Sequence, residues 1–154
     1  MSRERSDAAG FTLTELAVVI AIATILSAFA ISRINTASFD TEGYANQVKA
    51  AIRYAQKIAV SQRRNVAVTV SAGAVSLTYP DAPLSGAPVH RPPGTDAFTV
   101  NKPTSVTLSG TLSGSSVTFS ALGKPVAGGG TIIVSGGDIS PITITVESET
   151  GYVH

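Results

Sequence analysis

From Phe11 to Ile31 the chain reads FTLTELAVVIAIATILSAFAI, 21 residues in which Glu15 is the single charge. As an α-helix at about 1.5 Å per residue, such a run extends roughly 31 Å, the thickness of a bilayer's hydrocarbon core. Between Leu16 and Ile31 the only hydroxyls are those of Thr24 and Ser27. Both can return their hydrogen bonds to the preceding helical turn. A helix apolar on every face has to be covered by lipid or by other chains.

Ahead of the run stands MSRERSDAAG, with Arg3 and Arg5 beside Glu4 and Asp7. A secretory signal peptide also combines a basic start with an apolar stretch, and Ala28, Ala30 and Ser32 offer small residues to a signal peptidase. Against that reading, the run exceeds the usual apolar region of a signal peptide, and its downstream end, AFAISRIN, continues into what reads as more helix. Charge sets orientation weakly, because Glu4 and Asp7 offset the two arginines and Arg33 lies beyond the far end.

Glu15 needs a reason to be where it is, since a carboxylate at the head of an apolar helix is costly in lipid unless it stays at the interface or meets a cation. A cut between Gly10 and Phe11 would create an α-amino group one helical turn away, able to pair with Glu15 of the same or a neighbouring subunit. Gly10, Phe11, Thr12, Leu13, Thr14 and Glu15, followed by the apolar stretch, resemble the processing site and helix of type IV prepilins and type II secretion pseudopilins. The resemblance covers roughly residues 9 to 33. It implies cleavage after Gly10 by prepilin peptidase, N-methylation of Phe11, and a role for Glu15 in subunit registration. It also implies a cytoplasmic leader and a periplasmic body.

A second helical pattern runs from Tyr44 to Arg64, where Tyr44, Val48, Ala51, Ile52, Ala55, Ile58 and Ala59 recur at three- and four-residue spacings. Lys49, Arg53 and Lys57 form an i, i+4, i+8 series on another face, and Arg63 with Arg64 closes the segment, where positive charge complements the helix C-terminus. Two readings fit these five residues: a solvated face, or a basic rail contacting phosphates or acidic partner subunits. Neither aromatic interleaving nor a base-reading motif accompanies them. In TASFDTEGY between the helical runs, Asp40 or Thr41 could cap a new helix and Gly43 could relieve backbone geometry, so one long helix and two separate ones are both open.

After Arg64 the period changes. Val66 to Ser71 and Ala74 to Tyr79 alternate as strands around a short link and predict a hairpin. Five prolines between Pro80 and Pro93 make residues 80–96 a loop or an irregular edge. Further strands are predicted near Phe98 to Val100, Ser105 to Ser109, Ser116 to Ala121, Thr131 to Ser135 and Ile142 to Val146, with a short last one at Tyr152 and Val153. One amphipathic helix ahead of many short strands predicts an α+β body with the helix packed on antiparallel sheet. Phe119, Gly123, the GGGTI segment at 128–132 and the ending ITVESETGYVH resemble the GspH/FimT group of minor pseudopilins and pilins, as do Tyr54, Ala55, Gln56 and Ala59 before the first strand.

Little in the chain suggests catalysis. There is no cysteine, so thiolate metal sites and cysteine nucleophiles are excluded. His90 and His154 lack the neighbours that would specify zinc, and Asp81, Asp96 and Asp138 fall in turn-like stretches. The GKPVAGGG segment at 123–130 lacks Walker spacing and reads as turns. Glu147 and Glu149 would share a strand face and read as a solvated strand end, with calcium or a basic subunit surface as the functional alternative. Charged residues make up 14% of the chain and the net charge is +1, which argues against broad electrostatic capture of nucleic acid.

The expected organisation is a leader at 1–10, a transmembrane and filament-assembly helix at 11–34, a connecting segment and amphipathic helix at 35–64, and a β-rich body at 65–154. The expected function is that of a non-enzymatic, cofactor-free and metal-free minor pilin or pseudopilin. It would be held in the bacterial inner membrane by a single pass, then assembled into a type IV pilus or type II secretion pseudopilus. The resemblance names as partners the prepilin peptidase/methyltransferase, other major and minor pilins or pseudopilins, and the inner-membrane assembly platform. Two alternatives stay open: a minor pilin that binds nucleic acid for DNA uptake, and a membrane-tethered periplasmic binding module that never enters a filament.

Overall fold

The computed structural model describes residues 11–31, 36–112 and 114–154. The leader, with Gly10, lies outside the described residues, as do residues 32–35 of the expected connection. The chain divides into two units, residues 1–34 and residues 35–154.

In the first unit, helix α1 runs from Leu13 to Ile31, 19 residues, or about 28 Å. Its start is explained by an N-cap at Thr12: the Glu15 amide donates to Thr12 Oγ1 at 3.2 Å, and the Leu16 amide to the Thr12 carbonyl at 3.1 Å. Thr24 and Ser27 return their hydroxyls to the carbonyls of Ala21 and Ala23, at 2.8 and 2.7 Å, so neither disturbs the apolar surface. The helix is two residues shorter at its start than the apolar run. Among the described residues no helix is long and apolar enough to cross a membrane.

The second unit is α+β. Helix α2, Thr36–Gln62, buries Thr41, Tyr44, Ala45, Val48, Ala51, Ile52, Ala55 and Ala59 along one face. Four alanines on that face let the helix axis approach the sheets closely. The helix begins eight residues before the start predicted from sequence. Asp40, Thr41 and Gly43 are interior to it, so of the two arrangements left open by the sequence neither a cap nor a break falls at these three residues. Thr41 Oγ1 instead donates to the Ala37 carbonyl at 2.7 Å, and Asp40 accepts from Ser105 Oγ at 2.9 Å.

Among the described residues the strands are β1 (Val66–Val70), β2 (Ala74–Thr78), β3 (Thr99–Asn101), β4 (Thr107–Ser109), β5 (Ser116–Phe119), β6 (Gly130–Ser135) and β7 (Ile142–Val146). They form two antiparallel sheets, ordered β3-β2-β1-β5 and β4-β6-β7. Helix α2 touches strands of both, so one core lies beneath it. In the first sheet Val68 stands opposite Leu77 and Val117, and Val66 opposite Phe119; in the second Ile132 faces Ile144. All seven of these side chains are buried. The predicted last strand at Tyr152 and Val153 is reduced to a bridge between Val153 and Val146. The proline-rich stretch is an irregular edge to β2: Val89 is buried there, its amide donating to the Leu77 carbonyl at 2.9 Å.

The end of α2 is a Schellman turn. Arg64 N–H donates to the Ala59 carbonyl at 3.1 Å and Arg63 N–H to the Val60 carbonyl at 3.3 Å. Arg63 takes the left-handed position, with φ 51°, where glycine is usual. A left-handed non-glycine residue costs roughly 1–2 kcal/mol, of which the greater chain entropy of glycine recovers about half. Arg63→Gly is therefore expected to stabilise the unit by about 0.5–1 kcal/mol in urea unfolding; a loss of stability would show that the arginine side chain holds structure.

Candidate functional site

Helix α1 carries the first candidate surface. Leu16, Val18, Val19, Ile20, Ile22, Ile25 and Leu26 are each at least half exposed, and Phe11 is 82% exposed. These residues point in all directions around the axis, so one partner packed on one side could not cover them. Glu15, the only charged residue of α1, sits in the first turn, where the helix dipole favours a negative charge. An amine on Phe11 would lie one turn from it along the chain.

The second candidate is the basic series on α2. Lys49, Arg53 and Lys57 do share a face, with Lys49 half-buried and the other two exposed. Arg53 is already engaged: its guanidinium donates to the Val153 carbonyl at 2.8 Å and ties the helix to the last residues of the chain. Arg63 and Arg64 lie beyond the helix in the Schellman turn, with the Arg64 guanidinium 5.7 Å from the centroid of the Tyr79 ring. Lys57 and Arg63, both exposed, are thus the most available of the five for a partner.

Around these cations the fold builds a groove that the sequence did not announce. Gln56 Nε2 donates to the Gly123 carbonyl at 2.8 Å and to the Thr150 carbonyl at 3.2 Å. These bonds dock the tight turn 120–123 against α2. Gly123, with φ 78°, lets the turn close, since a Cβ there would stand 3.1 Å from Val60 Cγ2. Arg53, Lys57, Val60 and Leu122 line the resulting groove of about 390 Å³. Leu122 at the tip of the turn is 90% exposed and Val60 48%. At the other end of α2, Phe39 is 70% exposed beside Asp40 and Glu42.

The carboxylates near the end of the chain separate. Glu149 accepts from Lys124 Nζ at 2.7 Å, while Glu147 lies 4.0 Å from His154 Nε2. The hydrogen bond from Lys124, and then its charge, hold the Glu149 carboxyl below the usual carboxylate range. Both partners are largely in solvent, so this tie is weak and screened by salt. Tyr54 stacks on Phe98 with ring centroids 5.0 Å apart, the Arg91 guanidinium lies 4.8 Å from the Phe98 centroid, and Tyr54 Oη donates to the His90 carbonyl at 3.3 Å. Burial, and then the nearby Tyr79, push the Tyr54 phenol up. These contacts hold the proline-rich edge in place. Among the described residues no three His, Asp or Glu side chains converge to hold a metal ion.

Comparison with known proteins agrees with this anatomy. The model of the family described as type II transport protein GspH matches residues 44–151, and that of the prokaryotic N-terminal methylation motif matches residues 5–31. No protein of curated function matches the sequence. Among solved structures, the type IV minor pilin FimU of Pseudomonas aeruginosa is similar at 18% identity and TM-score 0.58, over 76% of this chain and 88% of that one. The minor pseudopilin EpsH of the Type 2 Secretion System of Vibrio cholerae is similar at 9% identity and TM-score 0.62, over 75% and 94%. At these identities the likeness is one of fold.

An α+β body of this kind behind a methylation-motif helix is the architecture of pilins and pseudopilins. The chain belongs to the GspH family, whose members are minor pilins and pseudopilins of type IV pili and type II secretion. The family is structural, its subunits interact with other pilins or pseudopilins in a filament, and its methylation motif marks membrane-anchored chains.

Proposed function

We propose that this chain is a minor structural subunit that waits in the bacterial inner membrane and then enters, primes or caps a type IV pilus or type II secretion pseudopilus. The observation that carries the reading is α1: a helix apolar all round and exposed, headed by one carboxylate, in a chain whose other unit has a complete core of its own. The anchor comprises the apolar run from Phe11 and the residues that follow Ile31, with the body on the periplasmic side. Prepilin peptidase cuts between Gly10 and Phe11, and the new amine is methylated. Assembly moves the same apolar surface from lipid to neighbouring helices, so a single surface serves both environments. Partners are the peptidase/methyltransferase, the assembly platform, and other pilins or pseudopilins. The exposed β-rich body is what the filament presents.

The engagement of Arg53 by Val153 leaves the basic series as two lysines and a guanidinium already hydrogen-bonded, a poor phosphate rail. A structural role therefore fits better than nucleic-acid capture. N-terminal sequencing and intact mass of the membrane-extracted protein test the reading. The expected mature chain begins at methylated Phe11. A chain that begins elsewhere, or keeps Gly10 joined to Phe11 in a normal filament, would remove the processing and assembly assignment.

A further inference from the structure

The residues from Thr145 to His154 build a small hairpin. Val146 bridges Val153, the Glu147 amide donates to the Tyr152 carbonyl at 2.9 Å, and Thr145 and His154 exchange amide hydrogen bonds at 2.9 and 3.1 Å. Side chains alternate along a strand, so the buried Val146 and Val153 point into the core while Glu147, Tyr152 and His154 share the outer face. There, with Thr150, they line a wide, shallow groove. Tyr152 and His154 are stacked, with ring centroids 5.4 Å apart and planes 23° from parallel, and Tyr152 is 60% exposed. Glu147 stands directly across the hairpin from Tyr152. Its carboxylate lies 4.0 Å from His154 Nε2 and accepts no hydrogen bond among the described residues.

A metal ion would need a third ligating side chain, and among the described residues none converges here. A phosphate or another carboxylate would be repelled by Glu147. A cation meets the opposite: the electron-rich face of an exposed ring and an unbonded carboxylate beside it. An ammonium is a compact, strongly hydrated charge, whereas a guanidinium is flat, stacks on aromatic faces and offers a fork of N–H donors to both carboxylate oxygens. We infer that this groove receives an arginine side chain of a different pilin-type subunit, its guanidinium lying over the Tyr152 ring and donating to the Glu147 carboxylate. Tyrosine and arginine are also the residue types on which protein interfaces concentrate their energy.

The groove is held ready for such a group. Helix α2 ties down the hairpin at two points, Gln56 Nε2 donating to the Thr150 carbonyl at 3.2 Å and the Arg53 guanidinium to the Val153 carbonyl at 2.8 Å. Docking therefore costs mainly the freedom of the incoming side chain. Glu149 is drawn off by Lys124 at 2.7 Å, which leaves Glu147 as the carboxylate open to a partner. The choice of occupant rests on the filament reading: a minor subunit is outnumbered by other pilins or pseudopilins, so the exposed faces of its body meet those chains and not a second copy of itself.

Full-length chains carrying a photo-crosslinking benzophenone side chain at position 148, on the exposed turn of the hairpin, are expressed in cells that assemble the filament, illuminated, and recovered in the sheared filament fraction. The expected adduct joins a different pilin-type subunit, and its linked peptide carries an arginine. Glu147→Gln and Tyr152→Leu change exposed side chains and leave the core untouched. Each is expected to lower the adduct, per chain recovered, about threefold or more, as is glutamine in place of the partner's arginine. Glu149→Gln, which loses only the tie to Lys124, leaves the yield unchanged. Glu147→Arg removes the adduct, and glutamate in place of the partner's arginine brings it back. A yield that ignores both Glu147→Gln and Tyr152→Leu, or no adduct from a chain still present in the filament fraction, would overturn the guanidinium site and leave the filament reading standing. A linked peptide with lysine but no arginine, or linkage to a second copy or to a glycan, would overturn the named occupant. A chain absent from the filament fraction would overturn both readings.

Discussion

Phe119→Ala is expected to destabilise the body by about 3–5 kcal/mol, the usual range for removing a fully buried aromatic ring, a large part of the roughly 5–15 kcal/mol that keeps a domain folded. Phe119 ends β5, opposite Val66 of β1, and is 0% exposed. Its ring reaches Gly151, whose backbone at φ 69° approaches so closely that an added Cβ would stand 3.0 Å from Cε1. Truncation therefore opens a cavity that the first sheet shares with the end of the chain, and neither side can relax into it without moving backbone. Three residues on, Leu122 is 90% exposed, so Leu122→Ala should change stability by no more than about 0.5 kcal/mol. All four tyrosines lie between Tyr44 and Tyr152 and there is no tryptophan, so tyrosine fluorescence during urea unfolding of the detergent-solubilised chain reports the body alone. A Phe119→Ala loss below about 1 kcal/mol would mean that the ring is not where the core is described.

Periodicity carried much of this architecture. The apolar run, the helical face from Tyr44 to Ala59, and the alternation in Val66 to Val70 and Ala74 to Thr78 are local patterns, and the structure keeps each of them. The start of α2 was not local. Asp40, Thr41 and Gly43 look like a cap and a break because in isolation those residues favour both. What overrides them is tertiary: Asp138 N–H donates to Ser38 Oγ at 3.3 Å, and Gly136 and Gly137 press the β6–β7 turn onto Thr41 and Ser38 so closely that a Cβ at either would clash. Residues 100 positions away thus support the first turns of the helix. The division of strands into two sheets was equally hidden, since alternation gives a strand's faces but not its neighbours.

The same distinction holds for the candidate surfaces. The motif around Glu15 was legible because it is contiguous, the N-terminal methylation motif matching residues 5–31 as one unbroken stretch. The groove was not, because it joins Gln56 to Gly123 across 67 residues and uses a leucine that the sequence could have placed in the core. Arg53 is the instructive case. Its spacing with Lys49 and Lys57 suggested a rail, and the fold commits its guanidinium to the Val153 carbonyl. Spacing on a helix tells which residues share a face, and only the fold tells which of them are already occupied.

Glu15→Gln should separate the two roles that this carboxylate holds. Glu15 lies in the first turn of α1, where the helix dipole favours a negative charge. Glutamine keeps the length and polarity of the side chain and removes only the charge. If the residue serves the helix start alone, Glu15→Gln and Glu15→Ala are both incorporated with no more than a modest defect. If, as proposed, the carboxylate neutralises the amine of Phe11 on a neighbouring subunit, both variants insert in the membrane at normal levels, because the apolar surface is unchanged, and both are lost from the sheared filament fraction by an order of magnitude or more. An uncompensated amine within an apolar bundle carries a penalty of several kcal/mol, which makes the expected loss steep rather than graded. Quantitative immunoblots of membrane and sheared fractions decide between the two. Normal incorporation of Glu15→Gln would show that the charge is dispensable, and the registration role would then have to be abandoned even with the anchor intact.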